Sequence, residues 1–214
     1  MSSTFITTNT LHHNAISTAF IDHPVPIHHA KLLRAAADDQ EIIDFFLKLK
    51  HNGTSDRTSN LTGWTSEWDS HLRYPLILDS LVREIAEFHS KFVMNPRHGS
   101  GTNDQLVLDA EIWFAEYNKG DYADEHNHTW STRTSFVYFL GIEQDSSPLT
   151  FVQKYWRPEG TISTVKEMDL YVSSGTLVLF PGFINHKVRP TDGKRFVIAG
   201  NINDISEGNS DVTA

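Results

Sequence analysis

The chain has 214 residues, 39% of them hydrophobic and 21% charged, enough apolar material for one sizeable core. A formal net charge of -9 argues against a non-specific grip on nucleic acid, which needs clustered Lys and Arg. With no cysteine, disulfides and thiolate chemistry are excluded, so any metal site must use imidazole and oxygen donors.

The opening MSSTFITTNTLHHNA has no basic segment followed by an apolar run, and no stretch approaches the length of a membrane span. A soluble, cytoplasmic, single-domain protein is the expectation. The first 30 or so residues carry Pro24, Pro26 and paired histidines without a sustained period, which predicts irregular structure or an isolated edge strand. In the stretch from Ala30 to Lys50, Ile42, Phe45, Phe46 and Leu49 recur at helical spacing. Asp38 or Asp39 is the expected cap, and His51-Asn52-Gly53 the stop.

After a polar loop, Leu78, Leu81, Val82, Ile85, Phe88 and Phe92 mark a second helix within Pro75 to Met94, ending at Asn95-Pro96. Beyond residue 104 the chain turns β-prone, with runs at Leu106 to Tyr117, Thr132 to Leu140, Leu149 to Val152, Met168 to Val172, Thr176 to Phe180 and Arg195 to Ile202. Two helices followed by many short strands predict an α+β fold with an antiparallel sandwich or barrel over 105–203. The tail, 204–214, ending in SEGNSDVTA, reads as polar and frayed.

The segment DYADEHNHTW sets His126 and His128 two residues apart. On an extended strand both would share a face, with Cα atoms about 7 Å apart, so that both rings could meet one ion. An H-x-H alone is equally a pair of solvated loop histidines, and a third ligand is needed. His186 supplies it, on a short strand after the Pro-Gly turn of LVLFPGFINHKVRP, flanked by Ile184 and Val188. Asp124 also lies two residues from His126 and offers a carboxylate in place of His128.

Arg195 follows nine positions after His186, across the turn PTDGK. A hairpin between the two strands would offset the arginine from the histidine by roughly 10 Å, a span that suits a five-carbon dicarboxylate held by a metal and a guanidinium. Parity points Arg189 away from His186, while Arg195 shares a face with Val197, Ala199 and Asn201.

Four blocks in order, SNLTGWTSEWD, WFAEYNKGDYADEHNHTWSTRTSFVYFLG, GTLVLFPGFINHKVRP and GKRFVIAGNI, resemble the 2-oxoglutarate/Fe(II)-dependent oxygenase superfamily, in particular its small phage and marine bacterial members. The resemblance implies a double-stranded β-helix (jelly-roll, cupin-like) core with supporting helices. It implies Fe(II) held by His126, position 128 and His186, and 2-oxoglutarate held by Arg195, with Tyr117 lining the cosubstrate pocket. The implied activity is dioxygen-dependent hydroxylation of a peptidyl side chain or small molecule, with release of succinate and CO2.

The chain departs from that family at two places. Most of the superfamily has Asp or Glu where this chain has His128, and three neutral imidazoles leave the iron site more positive by one charge. Phe139 stands where many relatives carry a tyrosine that helps hold the cosubstrate, so Ser135, on the same face, is the expected helper for Arg195. Trp130, Trp156 and the TSNLTGWTS segment are candidates for the substrate mouth. Two rival readings stay open: a three-histidine cupin-type metalloenzyme without 2-oxoglutarate, and a β-sandwich interaction protein.

Overall fold

In a computed structural model, which describes residues 7–11, 14–21, 25–53, 60–92, 110–128, 134–156 and 159–203, two antiparallel sheets face each other and helices cover the outer side of the larger one. The strands are β1 Thr7–Leu11, β2 Asn14–Ile21, β3 Val25–Lys31, β4 Trp64–Thr65, β5 Ala110–Tyr117, β6 Ala123–His126, β7 Thr134–Ile142, β8 Leu149–Trp156, β9 Ile162–Leu170, β10 Thr176–Pro181, β11 Asn185–Val188 and β12 Arg195–Ile202. The helices are α1 Ala36–His51, α2 Ser70–Arg73 and α3 Pro75–Phe92. The large sheet runs β1-β2-β3-β10-β7-β12-β5-β4, and the small one β6-β11-β8-β9.

Period-two alternation explains the layering. Phe114 on β5, Phe136 and Tyr138 on β7, Leu177 and Leu179 on β10 and Ile198 on β12 point to the helices, where they meet Phe46, Leu78, Leu81 and Ile85. The intervening Ala115, Tyr117, Val137, Phe139, Val178, Phe180 and Val197 point to the small sheet and meet Phe151, Ile184 and Val188. Phe46 stacks on Phe114 at 4.8 Å, fastening α1 to β5, one strand in from the edge of the large sheet.

Helices α1 and α3 were legible from their apolar stripes, but the short α2 and the cap of α1 were not. Ala35 is the N-cap, without a side-chain cap bond, and its carbonyl accepts from the Asp38 amide at 3.0 Å. Asp39 sits buried in the first turn, where it accepts from Arg34 Nε (3.2 Å) and Tyr138 Oη (2.8 Å). A carboxylate there suits the positive end of the helix dipole. Helix α3 begins on a proline at its first position, where the missing N–H costs nothing. The expected stop at Asn95-Pro96, the start of the strand at 106–109 and the tail fall outside the described residues.

Two expectations of strand pairing are corrected. The N-terminal segment forms three strands, not an isolated edge strand or irregular chain, and β3 pairs with β10 from Lys31↔Thr176 to His28↔Leu179. Its partner lies far along the sequence, so no local signal announces it. The expected hairpin of β11 with β12 is also absent among the described pairings. β11 pairs with β6 and β8, whereas β12 pairs with β5 and β7, so the PTDGK segment crosses between sheets.

Candidate metal centre

His126 ends β6, and His186 stands directly opposite it on β11. The two rings lie 4.3 Å apart between centroids, and His128 is 5.2 Å from each. One nitrogen from each ring falls within 4.8 Å of the others, and this trio is the metal-competent His/Asp/Glu group found among the described residues. His128 lies past the end of β6 and is placed by its backbone, whose N–H donates to the Gly182 carbonyl at 2.8 Å across the Pro-Gly turn. The trio thus forms as expected, although the two H-x-H residues do not share one regular strand.

Asp124 is not part of it. β6 pairs His126 with His186 and Ala123 with Val188, so three steps on one strand match two on the other. That bulge inverts parity upstream of His126. Ala123 turns inward and is buried, while the Asp124 side chain faces solvent. The parity argument that made Asp124 a rival assumed a regular strand.

The donor chemistry fits a divalent ion. His126 Nδ1 lies 2.7 Å from the Asp124 carbonyl and His186 Nδ1 lies 3.0 Å from the Ile184 carbonyl. A carbonyl only accepts, so each Nδ1 must carry the proton, which leaves both Nε2 lone pairs free for a metal. His128 is held differently, with Asn201 Nδ2 3.4 Å from its Nδ1. Burial disfavours the charged imidazoliums. It lowers His126 below its ordinary value, with the carbonyl contact opposing, and holds His186 well below. Burial, aided by His126, brings His128 down to about 4. Neutral imidazole is the ligating form.

The three histidines line a cavity of about 580 Å³ between the sheets, a volume ordinary for a small-ligand site. Arg195 lies in its wall at 2% exposure. Its Nη1 donates to the Ser147 carbonyl at 2.9 Å, and its Cζ lies 4.8 Å from the Tyr117 ring and 5.3 Å from the Phe139 ring. Its buried Nε has no partner, and it forms no salt bridge with a described residue. Burial pulls its pKa down, with Tyr117 opposing. Tyr117 is Arg195's direct neighbour across β5 and β12, and burial raises its hydroxyl pKa while Arg195 opposes.

Ser135 does not reach Arg195. It pairs with Asn201, six residues along β12 and so about 20 Å away at about 3.3 Å per residue, and donates to Asn201 Oδ1 at 3.0 Å. Arg189 faces outward as parity required, bound to Asp169 (2.8 Å) and Glu167 (2.6 Å). Asn60 and Leu61 from the TSNLTGWTS segment line the cavity, but Trp64 packs into the helix-side core. Trp130 and the Trp156 side chain lie outside the described residues. Glu111, Trp113 and Trp68 line the cavity and were missed, although alternation back from Tyr117 puts Trp113 and Glu111 on its face.

No protein-family model matches the sequence, and no curated protein matches it. Solved structures do. A Pseudomonas putida prolyl-4-hydroxylase aligns with TM-score 0.55 and 17% identity over 83% of this chain and 91% of its own. The non-haem α-ketoglutarate-dependent epimerase SnoN from nogalamycin biosynthesis aligns with TM-score 0.63 and 12% identity over 83% and 78%. HygX from Streptomyces hygroscopicus, solved with nickel and 2-oxoglutarate bound, aligns with TM-score 0.58 and 13% identity over 85% and 84%. At these identities the likeness is one of fold, and the chain shares the fold of the 2-oxoglutarate-dependent oxygenases.

Proposed function

We propose that this chain is an Fe(II)- and 2-oxoglutarate-dependent oxygenase that hydroxylates a peptidyl side chain or a small molecule, releasing succinate and CO2. The four sequence blocks support placing it with the small phage and marine bacterial members. The order β5-β12-β7-β10 facing β6-β11-β8-β9 supports a double-stranded β-helix as its core. The observation that carries the reading is Arg195, a buried guanidinium with an unpartnered Nε, in the same cavity as three neutral imidazoles. A buried cation without a carboxylate is costly unless a ligand supplies one.

His126, His128 and His186 would hold the iron, and Arg195 the distal carboxylate of the cosubstrate. When bound, iron supplies the activation of dioxygen, coupled to oxidative decarboxylation of 2-oxoglutarate. The protein's share is position and dryness. The Asp124 and Ile184 carbonyls fix two ring orientations, Tyr117 and Phe139 flank the guanidinium, and Val137, Phe180 and Val197 keep water from the space between.

Adding Fe(II) and then 2-oxoglutarate to the protein without oxygen tests this. A visible charge-transfer band should appear on the second addition, and Arg195→Met should suppress it while iron still binds. Iron binding with no band in the wild type would favour a three-histidine metalloenzyme that does not use 2-oxoglutarate.

A further inference from the structure

Charge in the cavity is divided between two poles. Among the described residues lining it, Arg195 is the lone Lys or Arg and Glu111 the lone carboxylate. β12 pairs Arg195 with Tyr117 at one end and Asn201 with Glu111 at the other, which sets the poles about 20 Å apart along one rigid strand. The histidine trio lines the same cavity, and His128 meets Asn201 at its Nδ1. Arg195 is enclosed, whereas Glu111 is half-buried.

Glu111 is only partly engaged. Its Oε2 accepts from Asn201 Nδ2 at 3.0 Å, while its Oε1 accepts no hydrogen bond and the residue forms no ion pair among the described residues. Beside it on the same strand face stands Trp113, with Trp68 against that indole at 5.7 Å and an interplanar angle of 31°. Trp68 is 42% exposed, an unusual position for the largest side chain, at the rim of a cavity. An open carboxylate oxygen beside two indoles stabilises an organic cation twice over, by a charge-assisted hydrogen bond and by the ring quadrupoles. A neutral group would leave Glu111 desolvated and unpaired, and an anion would be repelled.

We infer that the substrate presents a protonated amine or a guanidinium, held by Glu111 beside Trp68 and Trp113 and so next to His128. The chemistry performed on it rests on the oxygenase reading; the cation preference does not. Glu111 is then the residue that selects the substrate by charge.

Tryptophan fluorescence of the metal-free protein can be titrated with lysine amide and arginine amide, and with their neutral isosteres norleucine amide and citrulline amide. The same side chains in a short peptide form a parallel series. The cations should bind about ten- to a hundredfold more tightly than the isosteres. Glu111→Gln keeps an acceptor for Asn201 and removes the charge, so a merely structural glutamate would leave the preference intact. Here it should collapse to near parity, and Trp68→Ala should weaken the cations more than the isosteres. Equal binding of the isosteres, a preference surviving in Glu111→Gln, or no binding of any cation would overturn the inference. The stronger of the free and peptide series identifies the source of the cation. A cation preference without the 2-oxoglutarate band would sink the oxygenase reading and leave this one standing.

Discussion

Replacing Arg195 by methionine should separate stability from ligand binding, because the guanidinium is buried without a carboxylate partner among the described residues. In the ligand-free protein the variant loses a charged hydrogen bond to the Ser147 carbonyl, about 1.5–3 kcal/mol, and ring contacts worth about 2 kcal/mol when desolvated. It regains a desolvation penalty of several kcal/mol. These terms oppose and nearly cancel, so the ligand-free variant should sit within about 1 kcal/mol of the wild type, a melting shift below about 4 °C for a chain of this size. With the metal already bound, 2-oxoglutarate at about 100 times its wild-type dissociation constant should add about 2.7 kcal/mol to the wild type. The variant should gain almost nothing, since removing one member of a buried ion pair costs about 3–5 kcal/mol, or about two to four orders of magnitude in affinity. Thermal melts with and without cosubstrate measure both effects. A variant that loses more than about 3 kcal/mol alone and still responds to 2-oxoglutarate would show that Arg195 is a structural cation.

Other expectations follow from single contacts. His186→Ala should abolish binding of Fe(II) or Ni(II) in calorimetry, whereas Asp124→Asn should leave it unchanged, because the β6 bulge turns Asp124 outward. Gly200→Ala should cost about 1–3 kcal/mol by denaturant melts, since an added Cβ would sit 2.6 Å from the Phe136 ring and 2.5 Å from the Glu111 carbonyl. On the outer face of the small sheet, hydrogen bonds from Lys187 and Arg189 hold Glu167 below its ordinary value. Burial would raise Asp169, but bonds from Arg189 and Thr150 outweigh it and lower its pKa as well. Depressed carboxylates stabilise the fold above their unfolded values, near pH 4, and lose that contribution as pH falls through the folded ones. Arg189→Gln should therefore flatten the acid limb of the stability profile below about pH 4 with little effect at neutrality, an exposed pair being worth about 0–1 kcal/mol.

Where periodicity was local, the sequence was a sufficient guide. β12 runs from Arg195 to Ile202 as its β-prone run indicated, and α3 follows its apolar stripe. Parity sorted Arg189 from Arg195 correctly because the register shifts nearby place their extra residues in β6 and β7, so alternation along β11 and β12 is kept. The failures share a cause in non-local pairing. A PTDG turn has the same local chemistry whether the chain returns within a sheet or crosses to the facing one. Three N-terminal strands exist because β10 offers β3 an edge, which no property of residues 7–31 reveals. Ser135 was assigned to Arg195 on shared parity, which fixes a face but not a distance along the strand.

The extra residue in β6 also bears on how such a site could change over generations. Donor choice at His126 depends on the count of residues before it as much as on their identity. With Ala123 removed, a regular strand would set Asp124 opposite Val188, facing inward beside His126, with no ligand residue replaced. A site of three imidazoles and one that also offers a carboxylate are therefore a single-codon deletion apart, a route separate from the one substitution at position 128 that would exchange the donor there. The H-x-H string by itself does not record which of the two a strand presents.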